Sequence, residues 1–163
     1  MLKKILMAVL IIFVLIQFIR PEKNEAGNVL QANAIQNEFT VPSEIENIFE
    51  TSCNNCHSNH TNYPWYSNIQ PVAWWLDSHI KDGKKDFNMD EFLSYDQKKQ
   101  DHKMEEVIEM IEKKEMPLNS YTWLHREADI TDEQRAALIS WAKDVRRQIN
   151  YKPFTAINNP LYK

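Results

Sequence analysis

The chain is short of glycine, short of cysteine and short of basic charge once its first stretch is set aside. Two glycines in 163 residues, Gly27 and Gly83, leave little material for the tight turns of a hairpin-rich protein. No valine-rich alternation compensates, which argues against a β fold, and an all-α domain is expected. Nineteen basic residues face 23 acidic ones, for a net charge of −4. Residues 1–20 hold Lys3, Lys4 and Arg20 and no acid. The remainder therefore carries −7, which argues against nucleic acid as a partner and suits docking to a basic protein surface. With only two cysteines, a disulfide framework is ruled out.

Those two cysteines stand together, in Cys53-Asn54-Asn55-Cys56-His57. A C-x-x-C-H stretch is the attachment signature of a c-type haem. Two thiols separated by two residues can add to the two vinyl groups of one haem, and the following histidine is placed to ligate the iron. Two other readings compete. Half of a zinc site would need His57, His60 or His79 to complete it, but no second C-x-x-C and no H-x3-H follows. The other is a redox dithiol of thioredoxin type or a short-range disulfide; the thioredoxin type would need a βαβ setting, which is missing. The motif therefore predicts one covalent haem, on Cys53 and Cys56, with His57 as proximal ligand.

Around the motif the chain reads as helices. Residues 1–20 are a targeting segment, with lysines before an apolar run from Ile5 to Ile19 broken only by Gln17. An uncleaved membrane anchor is expected, with the domain on the outer, periplasmic side. Ala32-Asn33-Ala34 has the look of a cleavage site but lies far beyond the apolar core. Residues 21–40 are expected to be a polar linker, 41–148 a haem-binding domain and 149–163 a tail. Ser43, with Glu46 three residues on, looks like a helix start, and that helix runs into Cys53. Tyr63, Trp65 and Tyr66 crowd the loop after His57 and are expected to wall the haem and bind its propionates. Pro71 is expected to open a helix that Gly83 ends. A further helix is expected from Ser94 to about Glu115, its apolar stripe being Met104, Val107, Ile108 and Ile111. Thr131 and Gln134 form a capping box for the last helix.

Met116 stands before Pro117, so its backbone is pushed to extended geometry and its thioether is put at the head of a loop. That setting makes it the expected distal iron ligand. His79 and His125 are weaker rivals for that position, more readily explained as ordinary packed or surface histidines.

In order, these features resemble the class I cytochrome c fold. More closely, they resemble a family of small membrane-anchored bacterial haem-binding domain proteins. Three stretches carry the resemblance: Cys53 to Thr61 with Tyr63-Pro64-Trp65-Tyr66; Pro71 to Leu76 with His79 and Gly83; and Glu115-Met116-Pro117 with Tyr121, Leu124 and His125 through Thr131-Asp132-Glu133. The resemblance implies covalent haem and carries no reaction with it. A monohaem electron carrier, not an enzyme, is the expected function. The alternative is a haem-based sensor or peroxidase-like module with an open sixth iron site, in which His60, His79 or His125 would do acid–base work.

Overall fold

A computed structural model describes residues 1–26 and 31–152 of the chain. Those residues are helical and contain no strand, only an isolated antiparallel bridge between Glu25 and His60. The expectation of an all-α fold agrees with this. Seven α-helices follow one another among the described residues: α1 (Leu2–Ile16), α2 (Ser43–Ile48), α3 (Asn54–His57), α4 (Val72–Asp86), α5 (Gln97–Glu112), α6 (Asn119–Leu124) and α7 (Asp132–Ile149).

The core is built by α5 against α7. Each carries an apolar stripe at helical spacing: Met104, Ile108 and Ile111 on one, Leu138, Trp141, Ala142, Val145 and Ile149 on the other. Burying such stripes against each other is the main favourable term in folding. A bidentate pair, Arg146 Nε to Asp101 Oδ1 at 2.8 Å and Nη2 to Oδ2 at 2.9 Å, fixes the register between the two helices. Short α2 adds Ile45 and Ile48 to the same cluster, and Phe49 meets Trp141 edge-on at 5.1 Å. The Trp141 indole donates to Thr40 O at 3.0 Å, so its buried N–H is satisfied.

Local signals explain most helix ends. Thr131 and Gln134 close a reciprocal capping box on α7, and Asp96 caps α5 by accepting from Lys99 N at 2.8 Å. At the start of α2 the expectation is off by one position: Pro42 is the cap residue and Ser43 the first helical one. Helix α5 stops at Glu112, where Lys114 adopts a left-handed backbone at φ 56° and reverses the chain towards Met116.

Two sequence boundaries need correction. Residues 21–40 are not a linker in the part that is described. Ala34, Ile35 and Phe39 are buried in the core, and Asn24 is tied to the loop after the motif through Ser58 O, Thr61 Oγ1 and the Tyr63 hydroxyl. The apolar residues here are too few and too irregularly spaced to show a period, because they sit on a short 3-10 turn (Ile35–Asn37) rather than a helix. The tail is likewise part of the domain at its beginning: Ile149 is buried and Tyr151 packs on the core. Most of the expected tail, residues 153–163, lies outside the described residues.

Helix α1 buries no residue. Its 15 residues measure about 22 Å at 1.5 Å per residue, against a hydrocarbon core of about 30 Å. No helix among the described residues is long and apolar enough to cross a membrane.

Candidate haem site

Helix α2 does not end before the motif. It continues through a widened turn, Phe49–Cys53, directly into α3, which holds Asn54 to His57. Such widened turns inside helices are found disproportionately at functional sites. Cys53 packs on the core beside Phe49, and Cys56 lies one turn on against α4. Gly83 makes that second contact possible. It does not end α4, as its sequence position suggests; it sits inside the helix, which runs to Asp86. A Cβ at Gly83 would come 2.7 Å from Cys56 O and 3.1 Å from Cys56 Cβ. The missing side chain is what lets α4 lie against the motif.

His57 is held from behind. Its Nδ1 lies 2.9 Å from Phe87 O, just past the end of α4. A carbonyl can only accept, so Nδ1 carries the proton and Nε2 keeps a free lone pair, the tautomer a metal-ligating imidazole needs. Burial pushes the His57 pKa down, opposed by the Phe87 and Gly83 carbonyls and by the Asp86 charge, so the ring stays neutral. Behind Phe87, Asn88 donates to Asn59 Oδ1 at 2.9 Å and Asp90 accepts from Asn59 N at 2.7 Å, fixing the loop that leaves His57.

Both thiols are free. Burial, helped by the Cys56 charge, pushes Cys53 up to about 12, and burial pushes Cys56 up to about 11. These are neutral thiols, the opposite of the activated thiolates of a redox dithiol or a metal-thiolate site. The zinc reading also needs a third and fourth ligand, and the described residues gather no group of three His, Cys, Asp or Glu able to hold a metal ion. What the residues do fit is haem: one neutral thiol at the entry to α3, a second within it, and an oriented imidazole at its end with the Nε2 lone pair free. At pH 7 the shifts leave about a hundredfold less thiolate at Cys56 and about a thousandfold less at Cys53 than in an unperturbed cysteine. Iodoacetamide labelling of the haem-free folded chain, followed by peptide mass spectrometry, is expected to be slowed in that order, and urea is expected to abolish the difference.

Beside the motif lies an open cavity of about 490 Å³, lined by Asn55, Tyr63, Tyr121, His125 and Glu127 among others. A polar chain runs along it. Asn55, inside the C-x-x-C-H stretch, donates to the Tyr121 hydroxyl at 2.8 Å. The Tyr121 ring stacks on His125 with centroids 4.5 Å apart. His125 Nε2 meets the Tyr66 hydroxyl at 2.6 Å and its Nδ1 meets Glu127 Oε1 at 3.0 Å. Burial pushes both tyrosine hydroxyls up, with the Asn55 hydrogen bond pulling Tyr121 back.

The expected site residues are thus partly brought together. Cys53, Cys56 and His57 form one unit, Tyr63 lines the cavity and Tyr66 is bound to a residue that lines it. Trp65 stands apart: it is 76% exposed and is not among the residues that line the cavity. Met116 is half-buried against the same core cluster as Phe49 and Cys53, and its carbonyl accepts from Arg135 Nη1 at 3.0 Å. His79 bonds its own helix at Trp75 O, 2.8 Å away, and packs on the Trp75 ring. His60 keeps a buried Nδ1 with no partner. Sequence reasoning missed Phe87 O, Asn55 and Glu127. Asn55 lies inside the motif, yet nothing local marks it as reaching Tyr121, 66 residues on.

A helical domain that offers two neutral thiols and an oriented imidazole on one turn belongs to the haem-binding proteins. The comparison with known families agrees: the model of the Haem_bd family, described as a haem-binding domain, matches residues 11–144, and the chain belongs to that family. It is also 28% identical over 122 residues to the cytochrome c peroxidase Ccp of Escherichia coli (strain K12), a match that covers 73% of this chain and 26% of that protein. The chain thus spans about a quarter of the length of that relative. No solved structure matches.

Proposed function

We propose that this protein is a monohaem c-type electron carrier. Cys53 and Cys56 would tether one haem through thioether bonds, and His57 Nε2 and the Met116 sulfur would ligate its iron. The observation that carries the reading is the His57 imidazole, locked by Phe87 O with Nε2 free, one residue from a buried neutral thiol. Bound there, the haem supplies a one-electron iron couple. The chain does the rest: it tethers the ring, keeps His57 neutral and correctly turned, and packs the motif into a low-dielectric interior. None of these roles asks for a bond-making residue. The domain is held outside the cytoplasmic membrane by residues 1–20, whose two lysines stand in the first turn of a helix that is otherwise apolar and buries nothing within the protein. Its partner is a redox protein with a basic surface, complementary to the −7 carried by residues 21–163.

The test is an absorption spectrum of the purified chain, oxidised and reduced, with and without carbon monoxide. A low-spin spectrum indifferent to carbon monoxide supports the carrier, and a colourless protein overturns the haem reading. Met116→Ala is then expected to give a high-spin iron that binds carbon monoxide, with a lowered reduction potential, because methionine ligation raises the potential.

A second reading has its own support. The Tyr66–His125–Glu127 chain sets a histidine between a hydroxyl and a carboxylate beside the motif, an arrangement suited to proton transfer, and the relative described above is a peroxidase. If wild-type protein binds carbon monoxide without any substitution, the sixth position is open and a sensor or peroxidase-like role replaces the carrier.

A further inference from the structure

Helix α1 is not loosely attached to the domain. Gln17, just after its end, exchanges two hydrogen bonds with the backbone of Gln70: Gln70 N donates to Gln17 Oε1 at 2.9 Å and Gln17 Nε2 donates to Gln70 O at 3.3 Å. Gln70 itself is buried and donates from Nε2 to Ile19 O at 2.7 Å, where the Trp74 indole also donates at 3.1 Å. Arg20 Nη1 reaches Asn68 Oδ1 at 3.2 Å. The foot of the apolar helix is thus clamped to one stretch, residues 65–75, which is the 3-10 turn Trp65–Asn68 and the beginning of α4.

That stretch is also where the domain shows its apolar surface. Among the described residues beyond position 19, the exposed large apolar ones are Trp65, Ile69, Trp74, Trp75, Trp123 and Leu124. Four of the six lie in the clamped stretch, and the segment bearing the other two is joined to it by the Tyr66–His125 hydrogen bond. Three exposed tryptophans within eleven residues form the kind of amphipathic aromatic group that collects at the membrane–water boundary.

We propose that residues 65–75 are the lipid-facing surface of the domain, lying in the headgroup layer of the bilayer that holds α1. The inference rests on the anchor reading above and goes beyond it, from attachment to a fixed orientation. Length supplies the reason. Helix α1, about 22 Å long with Lys3 and Lys4 in its first turn, is a short anchor for a hydrocarbon layer of about 30 Å, and a short anchor draws its flanking residues to the interface. Gln17 and Ile19 are those residues, so whatever is bonded to them is drawn down as well. Trp65 and Trp74 then sit at headgroup depth with their indole N–H groups near polar partners, and Arg20 is placed at the phosphate level, with Glu22 and Asp77 nearby on the same side. The motif is carried on α4 at Gly83, eleven residues or roughly 16 Å further along the helix from Val72, so the haem keeps a set height and facing instead of swinging on a tether.

The test uses the haem-loaded full chain in vesicles of phosphatidylethanolamine and phosphatidylglycerol. Trp65→p-benzoylphenylalanine and Ile69→p-benzoylphenylalanine are irradiated, with Lys98→p-benzoylphenylalanine as an exposed control on α5. All three positions are exposed in the structure, and retention of the haem spectrum confirms that each variant folds. Lipid adducts at 65 and 69, roughly tenfold above position 98, are expected for an interfacial belt. A chain that floats with the vesicles yet gives no lipid adduct at 65 or 69 overturns the orientation and leaves the anchor standing. Adducts at those positions to protein instead of lipid overturn it equally. A chain that does not float at all overturns the anchor together with the inference.

Discussion

Gly83→Ala is expected to destabilise the protein by about 1–2 kcal/mol net and to leave most of the chain without haem. Taken by itself, the substitution should do the reverse: alanine in a helix interior is worth about 1 kcal/mol more than glycine. The neighbour decides the sign. A Cβ placed 2.7 Å from Cys56 O meets backbone, which cannot swing aside as a side-chain tip would. Either α4 or the turn of the motif must shift by several tenths of an ångström, and overpacking of that kind costs about 1–3 kcal/mol, occasionally more. The shift falls on the residue that carries one thiol and on the element whose end holds His57 through Phe87. Urea denaturation with the two-state slope checked, together with haem staining of the purified variant, measures both effects. An unchanged or raised midpoint with full haem would mean that α3 and α4 do not touch at this point.

The same position shows where the sequence could be read and where it could not. Cys53, Cys56 and His57 are legible because their chemistry is local: three side chains within five residues, each needing only its own spacing. The stripes of α5 and α7 are legible for the same reason, since periodicity is a property of a single segment. Gly83 was visible as a glycine near the end of a helical pattern, and the ordinary reading of such a glycine is a stop. Its actual reason is a close approach to a backbone 27 residues earlier, which no local pattern encodes. Phe87 O and the Asn55–Tyr121 hydrogen bond belong to the same class. Trp65 shows a different failure. The aromatic density of the 63–66 segment was plain, but a 3-10 turn sends neighbouring rings in different directions, so Tyr66 meets His125 while Trp65 meets nothing but its neighbour. Residues 21–40 read as a linker because the few buried side chains there, Ala34, Ile35 and Phe39, lie in and around one short turn and give no period to detect.

Replacing both cysteines by alanine is expected to bring covalently held haem from one per chain to none, while either single replacement leaves one thioether. The three groups of the motif act differently, and the variants separate them. In the proposed attachment the neutral, half-buried thiols add to the vinyl groups and take no part in holding the iron. His57 keeps its lone pair in all of these variants, because its orientation comes from Phe87 O and not from either cysteine. The double variant therefore still has an axial ligand to offer, and any haem it binds is held by coordination and packing alone. Such haem is lost on denaturation and extracts into acidic organic solvent, whereas haem on the wild type and on both single variants stays with the chain on a denaturing gel. His57→Ala is expected to do the converse, keeping the haem on the gel while changing the spin state of the iron, since the tether survives and the ligand does not. If the double variant still holds haem through denaturation, the tether is not at Cys53 and Cys56, and the motif would then need a different reading. If His57→Ala leaves the spectrum untouched, the proximal ligand is another residue, and His60, whose buried Nδ1 has no hydrogen-bond partner, would be the next to test.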